Sequence, residues 1–156
     1  MSHLIFHEAI AHSRKKTELK ELLLCEFQDL VPYSGQSFDE IFKRVSDVCT
    51  LGPLHVYDIT AAICRYHRVN VDKIYIVGNG PKIAIRLLRL QTKSDAKDKR
   101  LRYIDISDAI RALTKHSIPV PRSNNGDEFE SYLCKWQSTL PRDKNNKKYI
   151  PLYPKK

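Results

Sequence analysis

Two Gly-Pro breaks in the chain combine residue types that can bind an anion. Gly52-Pro53 and Gly80-Pro81 each stand where an apolar helical pattern begins, and proline suits a helix start because its missing N–H is no loss there. The unpaired amide groups of a helix start attract phosphate, and glycine allows its close approach. Lys82 follows the second break. The alternative interpretation is that both breaks are only turns between helices.

Metal and nucleophile chemistry finds little support in the spacing. The chain has no C-x-x-C pair, so we expect buried reduced thiols rather than a zinc site. His3 and His7 are four residues apart and would share a helix face, but no acidic partner pattern accompanies them. No Ser-His-Asp spacing and no nucleotide-binding glycine loop are present. We therefore expect no metal and no cofactor. The four cysteines are Cys25, Cys49, Cys64 and Cys134.

Composition predicts a basic globular protein. The 156 residues carry a formal net charge of +9 and give a pI of about 9.4, which favours a polyanionic partner: DNA, RNA, or an acidic protein or lipid surface. Among these we expect nucleic acid, DNA over RNA, with an acidic protein as the alternative and no membrane partner. Residues 86–102 and the tail 141–156 each hold a net charge of +5, and Tyr149 and Tyr153 lie within the tail. The N-terminus does not resemble a signal peptide, and no apolar run is long enough to cross a membrane. We expect a reducing intracellular compartment, such as the cytoplasm.

Periodicity predicts a mostly α fold: an orthogonal helical bundle with a helix-hairpin-helix-like element and at most two short strands. It would form one helical domain over 1–140, followed by the basic tail. Ser37 and Glu40 form a capping box before one helix, and Ser107 is expected to cap another. The expected helices span 3–11, 17–30, 38–48, 53–68, 81–90, 108–116 and 127–140. A short extended piece is expected over 101–106, and residues 69–77 are either a strand, from their β-branched content, or a buried loop or helical turn.

The segment 50–63, TLGPLHVYDITAAI, resembles the helix-hairpin-helix element of the DNA glycosylase superfamily. The resemblance implies that hairpin amides and the following helix start hold a DNA phosphate. It departs from the family at Leu54, where the second glycine usually stands, and at Pro53, which has no amide. Together with nearby cations it predicts a nucleic-acid site, and a corner within the core is the alternative. The predicted site residues are Leu51, Gly52, Leu54, His55, Lys73, Lys82, Arg86 and Arg89.

The same resemblance implies a catalytic role for Asp72. In the family an aspartate follows the hairpin by about twenty residues, and Asp72 lies 20 after Gly52. Such a carboxylate would activate water or stabilise a cationic sugar. The lysine of the lyase branch would fall near Val56, so Schiff-base chemistry is not expected. The alternative for Asp72 is a turn or cap position.

A second resemblance, to a little-described group of bacterial proteins, covers roughly residues 47–136. Its pattern is Gly-x-Leu-x-Val-Tyr-Asp, then a helix, then Val-Tyr-x-x-x-Gly, and a late Leu-Cys segment resembles 129–134. Within it Tyr57 and Asp58 are the expected functional residues, although no function carries over. The alternative for Asp58 is that it only stabilises the first turns of its helix. Matching residues are Gly52, Leu54, Val56, Tyr57, Asp58, Ile74, Tyr75 and Gly78.

Three functions stay open at this point. The first is a nucleic-acid-binding helical protein without catalysis, the second a protein–protein interaction module with an acidic partner, and the third a reduced glycosylase-like enzyme using Asp72. The first predicts an affinity that falls steeply with salt.

Overall fold

The computed structural model describes residues 36–49, 52–94 and 101–152. Contacts divide the chain into two compact units, 1–71 and 72–156; the sequence-based prediction treats 1–140 as one domain. The described helices are α1 (Phe38–Val48), α2 (Pro53–Tyr66), α3 (Asn79–Leu87), α4 (Ile106–Lys115) and α5 (Gly126–Ser138). The described strands are β1 (Lys73–Tyr75), β2 (Lys93–Ser94) and β3 (Arg102–Asp105).

The mostly α prediction is confirmed, but the limit of two strands is wrong, since the described residues contain three. The strand that the prediction missed is β2, in a charged segment that has no β-branched apolar pattern. Partner strands, rather than its own composition, hold β2 in place. No helix within the described ranges is long and apolar enough to cross a membrane.

In the first unit, α1 and α2 pack against each other through aromatic rings. Ser37 caps α1, and its Oγ accepts a hydrogen bond from the Glu40 amide at 3.4 Å. Phe38 is buried, with its ring centroid 5.6 Å from that of Tyr57 and 6.2 Å from that of Phe42. The predicted starts of both helices are therefore confirmed: α2 begins at Pro53 after Gly52.

In the second unit, β3 is the middle strand of an antiparallel sheet in the order β1-β3-β2. Ile74 lies opposite Ile104, and both side chains are fully buried. Lys93 on β2 pairs with Asp105 on β3. The hydrogen bond to Asp105 and the charge of that carboxylate raise the pKa of the Lys93 ammonium above its ordinary value of 10.5.

One core cluster joins the sheet to α3, α4 and α5. Apolar residues at helical spacing supply it, as in Phe129, Leu133 and Trp136 of α5. Trp136 is 8% exposed, which confirms its predicted role in the core. Leu88, just after the end of α3, and Leu113 on α4 belong to the same cluster. Burying such side chains contributes about 1.5–3 kcal/mol each.

Two helix starts differ from the prediction. Ser107 does not cap α4, because Asp105 occupies the cap position and the helix begins at Ile106. Pro81 does not begin α3, which starts at Asn79 with Gly78 as its cap residue. Gly80 therefore lies inside α3, where it packs closely against α5.

The close approach of α3 and α5 predicts a coupled pair of substitutions. A Cβ on Gly80 would lie 2.4 Å from the Cys134 Sγ, so Gly80→Ala should lower the free energy of unfolding by about 1–3 kcal/mol. In a Cys134→Ala background the sulfur is gone, and the better helix propensity of alanine, worth about 1 kcal/mol, should make the same change neutral or stabilising. Urea titration of the four proteins checks this. Equal costs in both backgrounds would contradict the contact.

Residues 141–150, hereafter the tail hairpin, fold back on the second unit. Arg142 and Lys148 form an antiparallel bridge. The Asp143 carboxylate accepts hydrogen bonds from the amides of Asn145 at 2.8 Å and Lys147 at 2.9 Å. Ile150 packs against the core cluster. The basic tail is thus ordered as far as it is described, to Leu152.

Several predictions fall outside the described residues. They are the helices over 3–11 and 17–30 with His3, His7 and Cys25, the candidate site residue Leu51, and the basic residues of 95–100 and 153–156.

Candidate nucleic-acid interface

A groove of about 750 Å³ is lined by α3, α4 and the tail hairpin; we call it the basic groove. Five arginines and lysines and one histidine line it, facing one carboxylate, Asp108. Its apolar lining includes Leu87, Leu90, Ala112 and Ile150. The cations are Arg86, Arg89, Arg111, Lys115 and Lys148, and the histidine is His116.

The end of α3 supplies Arg86 and Arg89, both exposed. The helix closes in a Schellman motif: the Leu90 amide donates to the Ile85 carbonyl at 3.0 Å, and the Arg89 amide donates to the Arg86 carbonyl at 3.1 Å. Arg89 has φ +55°, the left-handed conformation that glycine adopts most easily. An arginine therefore stands in the groove at a position where glycine would be less strained.

The end of α4 supplies Lys115 and His116, and one turn earlier Arg111. Arg111 lies 3.4 Å from the Asp108 carboxylate; its own side chain is 79% exposed and that of Asp108 is 35% exposed, so this pair is worth little. Among the described residues, Lys115 has no ion-pair partner. Cations suit a helix C-terminus, whose carbonyls carry partial negative charge. That interaction explains part of their placement, but not why two such helix ends meet in one groove.

The tail hairpin supplies Lys148, Tyr149 and Ile150. The Lys148 ammonium donates to the backbone carbonyl and to the side-chain oxygen of Gln137, both at 2.7 Å. Tyr149 is 45% exposed, and its amide donates to the Pro141 carbonyl at 3.3 Å. The hairpin is thus tied to α5, and it holds an exposed aromatic residue at the groove.

A second groove, of about 480 Å³, shares Arg86 and Leu90 with the first. It adds Lys82 from α3 and Arg102 from β3. The Arg102 guanidinium donates to the hydroxyl and the carbonyl of Thr92, at 2.6 and 3.1 Å. The positive surface therefore continues from the basic groove along α3 to the sheet.

The structure brings together three of the predicted site residues and separates Lys73 from them. Lys82, Arg86 and Arg89 line the two connected grooves. Lys73 lines neither groove; its ammonium lies 4.4 Å from the centre of the Tyr103 ring, in a cation–π contact on the sheet.

The other predicted anion-binding residues belong to the first unit, at the start of α2. Gly52 and Leu54 are exposed and His55 is half-buried. Gly52 has φ −62° and ψ 170°, which any residue adopts. A Cβ added there would meet nothing within 4 Å. The fold therefore does not itself require glycine at this position.

The remaining candidates have different surroundings. Asp72 is exposed, lines neither groove, and makes no hydrogen bond or ion pair with a described residue. Tyr57 is 4% exposed and packs on Phe38, which is a core position. Asp58, the next residue, is half-buried. No cluster of three or more potential metal ligands occurs within the described ranges.

Sequence reasoning missed Arg111, Lys115 and His116 as site residues. A signal was present, because Arg111 and Lys115 are four apart on one helix and share a face. A cationic helix face is common on solvated surfaces, however, so this signal alone does not indicate a site. Comparisons of the chain with protein-family models, curated proteins and solved structures find no match.

Proposed function

We propose that this protein binds nucleic acid, DNA rather than RNA, without catalysing a reaction, and that the basic groove is its main contact. One observation carries the proposal: five formal positive charges line the groove against one carboxylate. Like charges so placed repel one another, and phosphates would relieve this by neutralising them.

The extent of the positive surface favours a chain of phosphates over a single small anion. Guanidinium groups bind phosphate oxygens in bidentate geometry, and Arg86 and Arg89 have no ion-pair partner among the described residues. The second groove extends this surface with Lys82. A chain of phosphates would contact both grooves, whereas a small anion would occupy one.

The start of α2 is a second proposed contact. The α1–α2 pair would act as a helix-hairpin-helix element, with exposed amides near Gly52 facing a phosphate. The open space around Gly52 allows such an approach. We also propose that the helices pack as an orthogonal bundle.

The test is fluorescence anisotropy of labelled 20-mer oligonucleotides, single-stranded and duplex, across a salt series. Affinity should fall with a log–log slope of about −4 for the duplex, since each phosphate contact contributes about −0.9. No binding to either oligonucleotide at low salt would overturn the proposal and leave an acidic protein partner to account for the charge.

A pair of variants at Gly52 tests the second contact separately. Gly52→Ala places a Cβ in open space and should leave both stability and affinity unchanged within about twofold. Gly52→Glu should weaken binding about tenfold, because a carboxylate would face the phosphate. Equal affinities for the two variants would restrict binding to the basic groove.

A further inference from the structure

We infer that the occupant of the basic groove is a single strand of nucleic acid, with one of its bases stacked on Tyr149. The inference rests on the proposed function and names the form of nucleic acid. It follows from what the groove contains besides cations.

The lining of the groove is apolar as well as charged. Leu87, Leu90 and Ile150 line it and pack against the core cluster while staying partly exposed. A duplex presents phosphates and sugars outward, so it gains little from apolar surface. A single strand exposes the faces of its bases, which need apolar or aromatic partners. A cationic rim around an apolar floor therefore suits the single strand better.

Tyr149 provides the aromatic partner. It is one of five large hydrophobic side chains that are exposed among the described residues, at 45%. Base–aromatic stacking in cationic grooves is the recurring mode of single-strand binding, and it tolerates any sequence because every base has a π-face. Arg89 lines the same groove and has no ion-pair partner among the described residues, so its guanidinium is available to a phosphate next to a stacked base.

The tail hairpin fixes Tyr149 before any ligand arrives. The Asp143 carboxylate holds the hairpin turn through two amides, the Tyr149 amide bonds to Pro141, and Lys148 bonds to Gln137. Preorganisation of this kind lowers the entropy lost on binding. A volume of about 750 Å³ is on the scale of clefts that hold small molecules, about 300–1,000 Å³. The groove can seat a base with its sugar and phosphate.

Substitutions at Tyr149 test the stacking, with anisotropy of a labelled single strand and of the matching duplex. We expect the wild type to bind the strand about tenfold more tightly than the duplex. Tyr149→Ala should lower single-strand affinity about tenfold or more and lower duplex affinity much less, because paired bases do not stack on the ring, whereas Tyr149→Phe keeps the ring and should lose far less single-strand affinity than Tyr149→Ala. Tyr66→Ala, at another exposed tyrosine (41%) that does not line the groove, is the control and should change nothing.

Two substitutions of Asp143 test the preorganised hairpin, because only one of them should lower single-strand affinity. Asp143→Ala removes a negative charge, so electrostatics alone would raise the affinity for a polyanion. It also removes the acceptor for two amides, which frees the hairpin, and we expect single-strand affinity to fall about fivefold. Asp143→Asn removes the same charge but keeps an acceptor oxygen, and should bind as tightly as the wild type or more tightly. Increased affinity in both variants would contradict the preorganised hairpin.

The outcomes separate this inference from the proposed function. Equal affinity for strand and duplex, unchanged in Tyr149→Ala, overturns the inference and leaves nucleic-acid binding standing. Absence of binding to either overturns both. Displacement of the strand by a free mononucleotide at comparable concentration would show a small-molecule nucleotide site, and would also overturn the inference.

Discussion

Gly126→Ala is expected to lower the free energy of unfolding of the second unit by about 3 kcal/mol or more. Gly126 is the buried first residue of α5, and a Cβ there would lie 1.7 Å from the Lys73 carbonyl oxygen on β1. The carbonyl belongs to the main chain, and the backbone fixes the position of a Cβ, so no side-chain rotation can relieve the overlap. Either the helix or the strand would have to move.

Neither element can move without further loss. Asn125 fixes the start of α5, because its side-chain oxygen accepts from the amides of Asp127 at 2.9 Å and Glu128 at 3.3 Å. Phe129, one turn later, is completely buried in the core cluster. Shifting α5 by the distance that a methyl group needs would break this cap and open a gap around the ring, at the cost of cavity formation.

Urea denaturation followed by tryptophan fluorescence measures the effect. Trp136 is the single tryptophan of the chain and lies in the core cluster of the affected unit, so it reports on the right region. Gly52→Ala is the control for a glycine-to-alanine change and lies in the first unit, so far-UV circular dichroism follows its unfolding. Its Cβ meets no described residue within 4 Å, and its midpoint should stay close to that of the wild type. A wild-type midpoint for Gly126→Ala would contradict the close approach of α5 and β1.

The sequence predicts those features of the fold that have local causes. Ser37 before α1 and Pro53 at α2 are chemical signals for a helix start that act within one turn, and both helices begin where these signals predict. The buried stripe of α5 likewise follows from its own 3–4 spacing. The arrangement of the elements depends on distant partners. β1 and Gly126 are more than 50 residues apart in the chain, and SNNG indicates only a turn.

Helix ends are less predictable here for a specific reason. The expected stop signal is glycine in the left-handed conformation, but α2, α3 and α4 close with Arg68, Arg89 and Ser117, at φ +54°, +55° and +57°. Without glycine, the apolar pattern extends the predicted helices past their actual ends. At the end of α3 the residue that replaces the expected glycine is Arg89, which also lines the basic groove. The strained backbone position therefore carries a candidate functional side chain.

The candidate site was predictable only where it is local. Lys82, Arg86 and Arg89 lie on one element, and the sequence predicts all three. Lys115 and Lys148 join them through tertiary contacts that place α4 and the tail hairpin around the same groove. Conversely, Lys73 is a predicted site residue but contacts Tyr103 on the sheet. Its position in the chain does not determine which face of the sheet its side chain occupies.

Reversing two groove charges should lower nucleic-acid affinity about 100-fold or more at moderate salt. Arg86→Glu with Lys115→Glu replaces two cations that have no ion-pair partner among the described residues by two carboxylates facing the phosphates. Both side chains are exposed, so the fold should be kept with a loss of at most about 2 kcal/mol from the two helix C-termini, and the Trp136 fluorescence midpoint checks this. The log–log salt slope should also become less negative by about 2, since two phosphate contacts are lost.

The matched control is Arg122→Glu with Lys135→Glu. These residues are exposed cations of the same unit that line neither groove, and this double variant changes the net charge of the chain by the same amount. If the basic groove is the site, the control loses only the long-range attraction, about threefold, which salt screens further. Equal losses in the two double variants would mean that net charge, and not the groove, draws the polyanion. The difference between them therefore measures how much of the affinity depends on where the charges lie.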